Sequence, residues 1–393
     1  MFKRLAYVGA LGGLCVTLIV NGGSVQATEA NLDVIPGKYI ITLDESISEP
    51  GVMAERMSAK LDVEPEHVYS HAFKGFSAEL SDAAVERLES LPEVVSIVPD
   101  QTVSIADQTL PGGIDRVDAD VSPTANIDGV DDGVDVDIAI LDTGIDLDHP
   151  DLNVAGGVSC VGGSADDGNG HGTHVAGTAA AVDNDFGVVG VAPGARLWAV
   201  KVLGDSGSGS LSGILCGIDW VTQNADTIDV ANMSLGGFGS DPSGSGCSTG
   251  DSYHDAICNS VAAGVTYVAA AGNSDTNANT FVPAAYDEVI TVSALDVSSN
   301  ALASFSNFGT DVDIIAPGVG VLSTVPGGGY SSLSGTSMAA PHVAGAAGLY
   351  LANNPGASPS MVQSVLESTG TFDWNDSGDP DGIQEPLLNV ASF

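Results

Sequence analysis

The stretch Ala139-Ile-Leu-Asp142-Thr-Gly-Ile-Asp146 decides the fold. Preceded by Val136-Asp-Ile, it reads as an apolar strand that stops at an acid and a tight turn. Working outward, four further runs have strand length and strand composition: Arg196 to Leu203, Ile228 to Leu235, Val265 to Ala271 and Val289 to Ala294. Helical stretches stand between or after them, at His174 to Ala181, Ile214 to Asn224 and Ser337 to Asn353. Strands that are apolar throughout are buried on both faces, and their alternation with helices makes a parallel sheet. The expected class is α/β, a mainly parallel sheet with helices on both faces. Ligands of such an open sheet bind beyond the carboxyl ends of its strands, and Asp142 falls at one.

Upstream, residues from about 36 to 105 read as a small α+β module. Its expected strands are Lys38 to Leu43, Phe73 to Leu80 and Val94 to Val98; its expected helices are Pro50 to Leu61 and Ser81 to Ser90. A module of roughly 70 residues builds little core by itself and is expected to lean on a partner. Before it, Lys3 and Arg4, the apolar run Leu5 to Val20 and the small residues around Val25-Gln-Ala27 form a secretory signal pattern. A spanning helix needs about 20 apolar residues, and this run is shorter and carries glycines and Thr17. Leu14 before Cys15 is too large for a lipid-modified cysteine. The expected division is a signal peptide at 1–27, a second segment at 28–106 and the main domain at 107–393, giving a soluble exported protein with no membrane contact after the signal is removed.

The charge distribution marks the same boundary. Residues 1–106 carry 7 cations and 15 anions, whereas 107–393 carry 3 cations (Arg116, Arg196, Lys201) and 36 anions. So few cations cannot make a basic face, which excludes nucleic acid as a partner. A hydrophobic fraction of 44% excludes intrinsic disorder. The negative charge repels itself at low salt and is screened at high salt, so a salty medium is expected. Without Cys15, four cysteines remain, and an even count in an exported protein favours disulfides. Three pairings are open. Cys247 and Cys258 lie 11 apart in a Gly/Ser-rich stretch that suits a local staple, leaving Cys160 with Cys216.

Three segments carry the chemistry together. They are Asp142-Thr-Gly at the strand end, Gly170-His171-Gly-Thr-His174-Val-Ala-Gly177 entering a helix, and Ser334-Gly-Thr-Ser337-Met-Ala-Ala-Pro-His342 opening a long one. A serine hydroxyl attacks a carbonyl only when a base removes its proton. Histidine has the right pKa, and a carboxylate fixes its tautomer and stabilises its cation. His171 and His174 lack the His-Glu-x-x-His spacing of a zinc peptidase, so His174 and His342 are read as packed, hydrogen-bonded histidines. None of the expected strands runs into a Gly-x-Ser-x-Gly elbow, which argues against an α/β-hydrolase esterase. A non-catalytic peptide-binding module would need none of the three groups.

In the order Asp, His, Ser these motifs resemble the subtilisin-like serine proteases. The resemblance covers about residues 107–370 and implies a secreted serine endopeptidase acting on protein and peptide substrates through an acyl-enzyme. It also implies that the preceding module is a propeptide, an inhibitor and folding aid removed by self-processing to leave a mature monomer. Residue by residue, it assigns Asp142 as orienting acid, His171 as general base and Ser337 as nucleophile. Asn273, in Ala269-Ala-Ala-Gly-Asn273, becomes an oxyanion donor beside the Ser337 N–H. Gly207-Ser208-Gly209 would pair with the substrate backbone, Ser234-Leu235-Gly236 would form the opposite wall, and Ala271-Gly272 would line the specificity pocket. Phe281 falls near that pocket's floor and would make it shallower; an apolar preference is expected. The stretch Val182 to Val188 resembles the family's Ca2+ loop. Its implied ligands are the Asp151 carboxylate, the Asn184 and Gln108 side chains and the carbonyls of Val182, Phe186 and Val188. The acidic tail Asp373 to Asp381 offers a further set of cation ligands, with spacing unlike a helix–loop–helix Ca2+ site.

Overall fold

In the computed structural model the described residues are 34–61, 63–101, 107–241, 246–248 and 250–393. The expected signal at 1–27 and the end of the expected propeptide at 106 lie outside them. The chain divides into two units at Ser104 and Ile105. The first holds β1 (Val34–Leu43), α1 (Pro50–Leu61), β2 (Pro65–Tyr69), β3 (Gly75–Glu79), α2 (Asp82–Glu89) and β4 (Val94–Gln101). Its strands form an antiparallel sheet in the order β2-β3-β1-β4. Ala54 and Met57 of α1 and Ala84 and Leu88 of α2 pack with Ile41, Leu43, Phe76 and Ala78 into one small core. β2 is the strand the sequence did not announce: Pro65-Glu-His-Val-Tyr is polar and mostly exposed, as an edge strand can be.

The second unit begins with α3 (Gly112–Arg116), β5 (Asp137–Asp142), β6 (Val154–Ser159), α4 (His171–Ala180), β7 (Arg196–Lys201), α5 (Leu211–Gln223) and β8 (Val230–Met233). It continues with β9 (Gly237–Phe238), α6 (Ser252–Ala262), β10 (Thr266–Ala270), β11 (Phe281–Val282), β12 (Val289–Asp296), β13 (Ala301–Leu302), β14 (Ile314–Pro317), β15 (Val321–Val325), β16 (Gly329–Leu333), α7 (Thr336–Asn353) and α8 (Pro359–Thr369). The main sheet runs β13-β12-β10-β8-β5-β7-β6, with β14 also paired to β12. Every pairing in it is parallel except β12 with β13.

Alternation along β5 sorts the two faces. Ile138 and Ile140 join a core with Val175 and Ala176 of α4 and Val343 and Ala344 of α7. Ala139 and Leu141 join the other, with Ile218 and Val221 of α5 and Tyr253 and Ile257 of α6. This is the two-sided α/β sandwich expected for a sheet of apolar strands. α7 is buried along almost its whole length, and its alanines and glycines let it lie close to its neighbours. A Cβ on Gly345 would stand 2.8 Å from the Ala179 carbonyl oxygen of α4. Disulfides join Cys160 to Cys216 and Cys247 to Cys258.

Candidate active site

The strand end, the helix entry and the long helix meet at one cleft. Asp142 closes β5 and is fully buried. Its carboxylate accepts from His171 Nδ1 at 2.8 and 2.9 Å, and its Oδ1 also accepts the Thr143 N–H at 2.7 Å. The imidazole is therefore held with its proton on Nδ1 and the Nε2 lone pair free to act as a base. The Asp142 charge raises the His171 pKa above its usual value, while burial opposes the rise. Close approach of the two elements requires glycine after the histidine. A Cβ on Gly172 would fall 2.1 Å from the Gly144 carbonyl oxygen and 3.1 Å from Asp142 Cβ.

Ser337 is the second residue of α7, at the positive end of the helix. Pro341, one turn on, has no N–H to give the Ser337 carbonyl, and that carbonyl instead accepts the Ser234 hydroxyl at 2.8 Å. The Ser337 hydroxyl donates in return to the Ser234 carbonyl at 3.2 Å, and no hydrogen bond joins it to His171. His171 and Ser234 line the same cleft of about 380 Å³, with Leu203, Gly207, Ser208, Gly209, Leu235 and Gly236. In enzymes without substrate such catalytic contacts are often long and tighten on binding.

Asn273 follows β10 and is exposed. Its Oδ1 accepts the Thr336 N–H at 2.8 Å and the Thr336 hydroxyl at 3.0 Å, which turns the Nδ2 donor outward. A Cβ on Gly335 would stand 3.6 Å from Asn273 Nδ2 and 3.6 Å from Ser337 N. Both donors thus border one small space. Ala271 and Gly272 are buried behind it. The Phe281 ring fills the gap between the two walls: a Cβ on Gly236 would meet its Cε1 at 2.3 Å, and one on Gly272 its Cδ1 at 3.1 Å.

Some organising residues escaped the sequence reading. Asp167 accepts from the Asn169, Gly170 and Thr173 N–H groups and from the Thr143 and Thr173 hydroxyls, and so shapes the turn that presents His171. The turn-rich run Asp166-Asp-Gly-Asn-Gly170 was the available signal. Asn307 donates to the Ala271 carbonyl at 2.8 Å and accepts from the Ser274 and Thr276 N–H groups, which fixes the segment carrying Asn273. No sequence signal marked it. Lys201, at the end of β7, is buried beneath the cleft rim and donates to the Thr143 carbonyl and to Asp205. His174 and His342 are fully buried and hydrogen-bonded to backbone carbonyls. Burial pushes both down to about 4.

The second cluster lies around Asp151, also fully buried. Its carboxylate accepts from Asn184 Nδ2 at 2.8 Å and from the Val188 N–H at 3.0 Å, and Gln108 Nε2 points at the Val182 and Val188 carbonyls. The Phe186 N–H donates to Asn184 Oδ1 at 2.8 Å. Burial raises the Asp151 pKa.

Residues 133–384 match the subtilase family, and residues 38–106 match the peptidase inhibitor I9 family. An alkaline protease of Shouchella clausii is 42% identical over 385 residues, covering 94% of this chain and 95% of that one. Subtilisin E of Bacillus subtilis (strain 168) is 38% identical over 384 residues, covering 95% of each. A solved structure of a cold-adapted subtilisin-like serine proteinase superposes with a TM-score of 0.61 at 38% identity, over 71% of this chain and 97% of that one.

Proposed function

The chain belongs to the subtilase family and is a serine endopeptidase carrying its own I9 inhibitor segment; from that premise we propose that Asp142, His171 and Ser337 are its triad and Asn273 its oxyanion donor. The observation that carries this reading is the two-pronged Asp142–His171 contact beside a serine at a helix start. Rotation of the Ser337 side chain away from the Ser234 carbonyl brings its hydroxyl to Nε2. The oxygen then attacks the scissile carbonyl while Nε2 takes the proton. Asn273 Nδ2 and the Ser337 N–H hold the oxyanion. Collapse expels the amine, which takes the proton from His171, and water repeats the sequence on the acyl-enzyme to release the acid.

The segment 28–106 acts as propeptide and is cut near 106, after export directed by residues 1–27. Substrate backbone pairs with Gly207, Ser208 and Gly209, and Phe281 limits the specificity pocket to small or medium apolar side chains. Calcium suits the Asp151 cluster. A buried carboxylate with no lysine or arginine beside it, two backbone carbonyls and two amides is a hard-oxygen set. Turning the Gln108 amide over would aim its oxygen where its nitrogen now points, whereas Asn184 would offer its oxygen to the ion only by giving up the Phe186 N–H. Bound there, Ca2+ supplies rigidity to the loop 182–188.

The test is fluorophosphonate labelling beside N-terminal sequencing of the secreted protein. The wild type should be labelled at Ser337 and start near Asp107, and Ser337→Ala should show neither. An unlabelled, correctly trimmed wild type would mean a binding module. An identical start in both would mean that another protease matures it.

A further inference from the structure

The acidic tail holds a group that the proteolytic site does not use. Glu385 is 3% exposed, and neither of its carboxylate oxygens has a hydrogen-bond partner. The charges that act on it most strongly are those of Asp379 and Asp381, each of which also buries an unpartnered oxygen, Oδ2 in both. A buried carboxylate without a partner costs several kcal/mol unless something neutralises it.

No side-chain cation is left to do so. From residue 107 onward the chain has three. Arg196 is paired with Asp135 and Asp137, and Lys201 with Asp205. Arg116 is held at the start of the tail by Asp373 at 3.2 Å and Asn300 at 3.1 Å. Asp313, the next carboxylate, already accepts from the Thr291 N–H and from Gln363. The loop is anchored at both ends. Trp374 is buried with Leu295, Ile315 and Leu387 and donates its indole N–H to the Glu385 carbonyl at 2.8 Å. Pro386 accepts from the Ile315 N–H at 3.0 Å.

We propose that Asp379, Asp381 and Glu385 bind a divalent cation, Ca2+, separate from the Asp151 cluster. Three carboxylates with four buried free oxygens, and no nitrogen or sulfur among them, suit a hard oxygen-seeking ion. Among the described residues, the one trio of such donors gathered within 4.8 Å is Cys247, Cys258 and Glu288, and its two sulfurs are bonded to each other. The tail carboxylates are spread wider than that, so the proposed site requires them to close around the ion.

The experiment uses the full-length chain with Ser337→Ala, so that binding is read without proteolysis. Equilibrium dialysis counts bound Ca2+, and Tb3+ emission excited at the long-wavelength edge, where Trp374 absorbs and Tyr330 beside Asp151 does not, reports the tail alone. Glu385→Gln should lower the Ca2+ count by one and abolish the emission, while the Tm in chelator stays level or rises because a buried charge is gone. Asp379→Asn should give the same loss, Trp374→Phe should lose emission but keep the ion, and Asp151→Asn should keep the emission. An unchanged Ca2+ count in both Glu385→Gln and Asp379→Asn would overturn the site, as would tail emission that disappears with Asp151→Asn. A Tm that falls equally with and without Ca2+ in Glu385→Gln would make the residue structural only.

Discussion

Replacing Phe281 with glycine removes the ring that lies between Gly236 and Gly272. The contacts are close enough that neither wall has room for a Cβ, so the ring, not the backbone, sets the depth available to the side chain before the scissile bond. Fully burying an aromatic side chain is worth about 1.5–3 kcal/mol. If the wild-type pocket withholds that burial from phenylalanine and the variant grants it, kcat/KM for a phenylalanine substrate, taken relative to the alanine one, should rise about 10- to 150-fold. Phe281 is half-buried and meets Phe238 edge-on at 6.5 Å, so the variant should also lose about 1–2 kcal/mol of stability. The assay is a pair of peptide anilides differing only at that side chain, measured below the variant's Tm. Active-site titration corrects for misfolded enzyme. A phenylalanine-to-alanine ratio within twofold of wild type, with both titrating fully, refutes the reasoning.

Three further outcomes are expected. Asp142→Asn should lower kcat by about 10⁴-fold, because the wrong imidazole tautomer is then favoured; since Asp142 raises the His171 pKa and only the neutral ring is a base, the acid limb of kcat/KM in the wild type should lie above the usual histidine value of about 6.5 and move down in the variant. His174 and His342 stay neutral in the fold down to about pH 4, whereas in the unfolded chain they take protons below about 6.5; their stabilising share is whole above pH 6.5 and shrinks by up to about 3 kcal/mol each as pH falls to 4, a loss that denaturant titration across that window measures. Asp151→Asn should remove the stabilisation of about 2.7 kcal/mol that an ion at a hundred times its Kd supplies, seen in differential scanning calorimetry as a smaller Tm difference with and without chelator.

In the second unit the strands legible in the sequence were those buried on both faces. β5, β7, β8, β10 and β12 are mainly apolar and almost wholly buried because helices cover both faces. β6 was missed because Val154-Ala-Gly-Gly-Val-Ser is an edge strand with two glycines and only partial burial. β15 and β16 form a hairpin whose second strand, Gly-Tyr-Ser-Ser-Leu, is polar and largely open. The helix α6 hid behind polar residues such as Ser252, Asp255 and Asn259, and its buried face of Tyr253, His254, Ile257, Cys258 and Ser260 is itself partly polar. At the site, residues that carry chemistry stood inside dense short motifs and were readable one by one. The residues that orient them were not. Asp167 and Asn307 act through backbone N–H groups brought near by tertiary packing, and a hydrogen bond of that sort imposes no periodic pattern on the chain.

Lys201 has a practical corollary. Beyond residue 106 it is the single lysine, and its ammonium is buried and engaged by the Thr143 carbonyl and Asp205. Amine-reactive dyes, aldehyde supports and succinimidyl linkers would therefore find one accessible primary amine on the processed chain, its α-amino terminus, with a pKa near 7.7–8.0. Attachment would be uniform in stoichiometry and orientation. The appearance of a singly tagged species would itself time the removal of the leading segment.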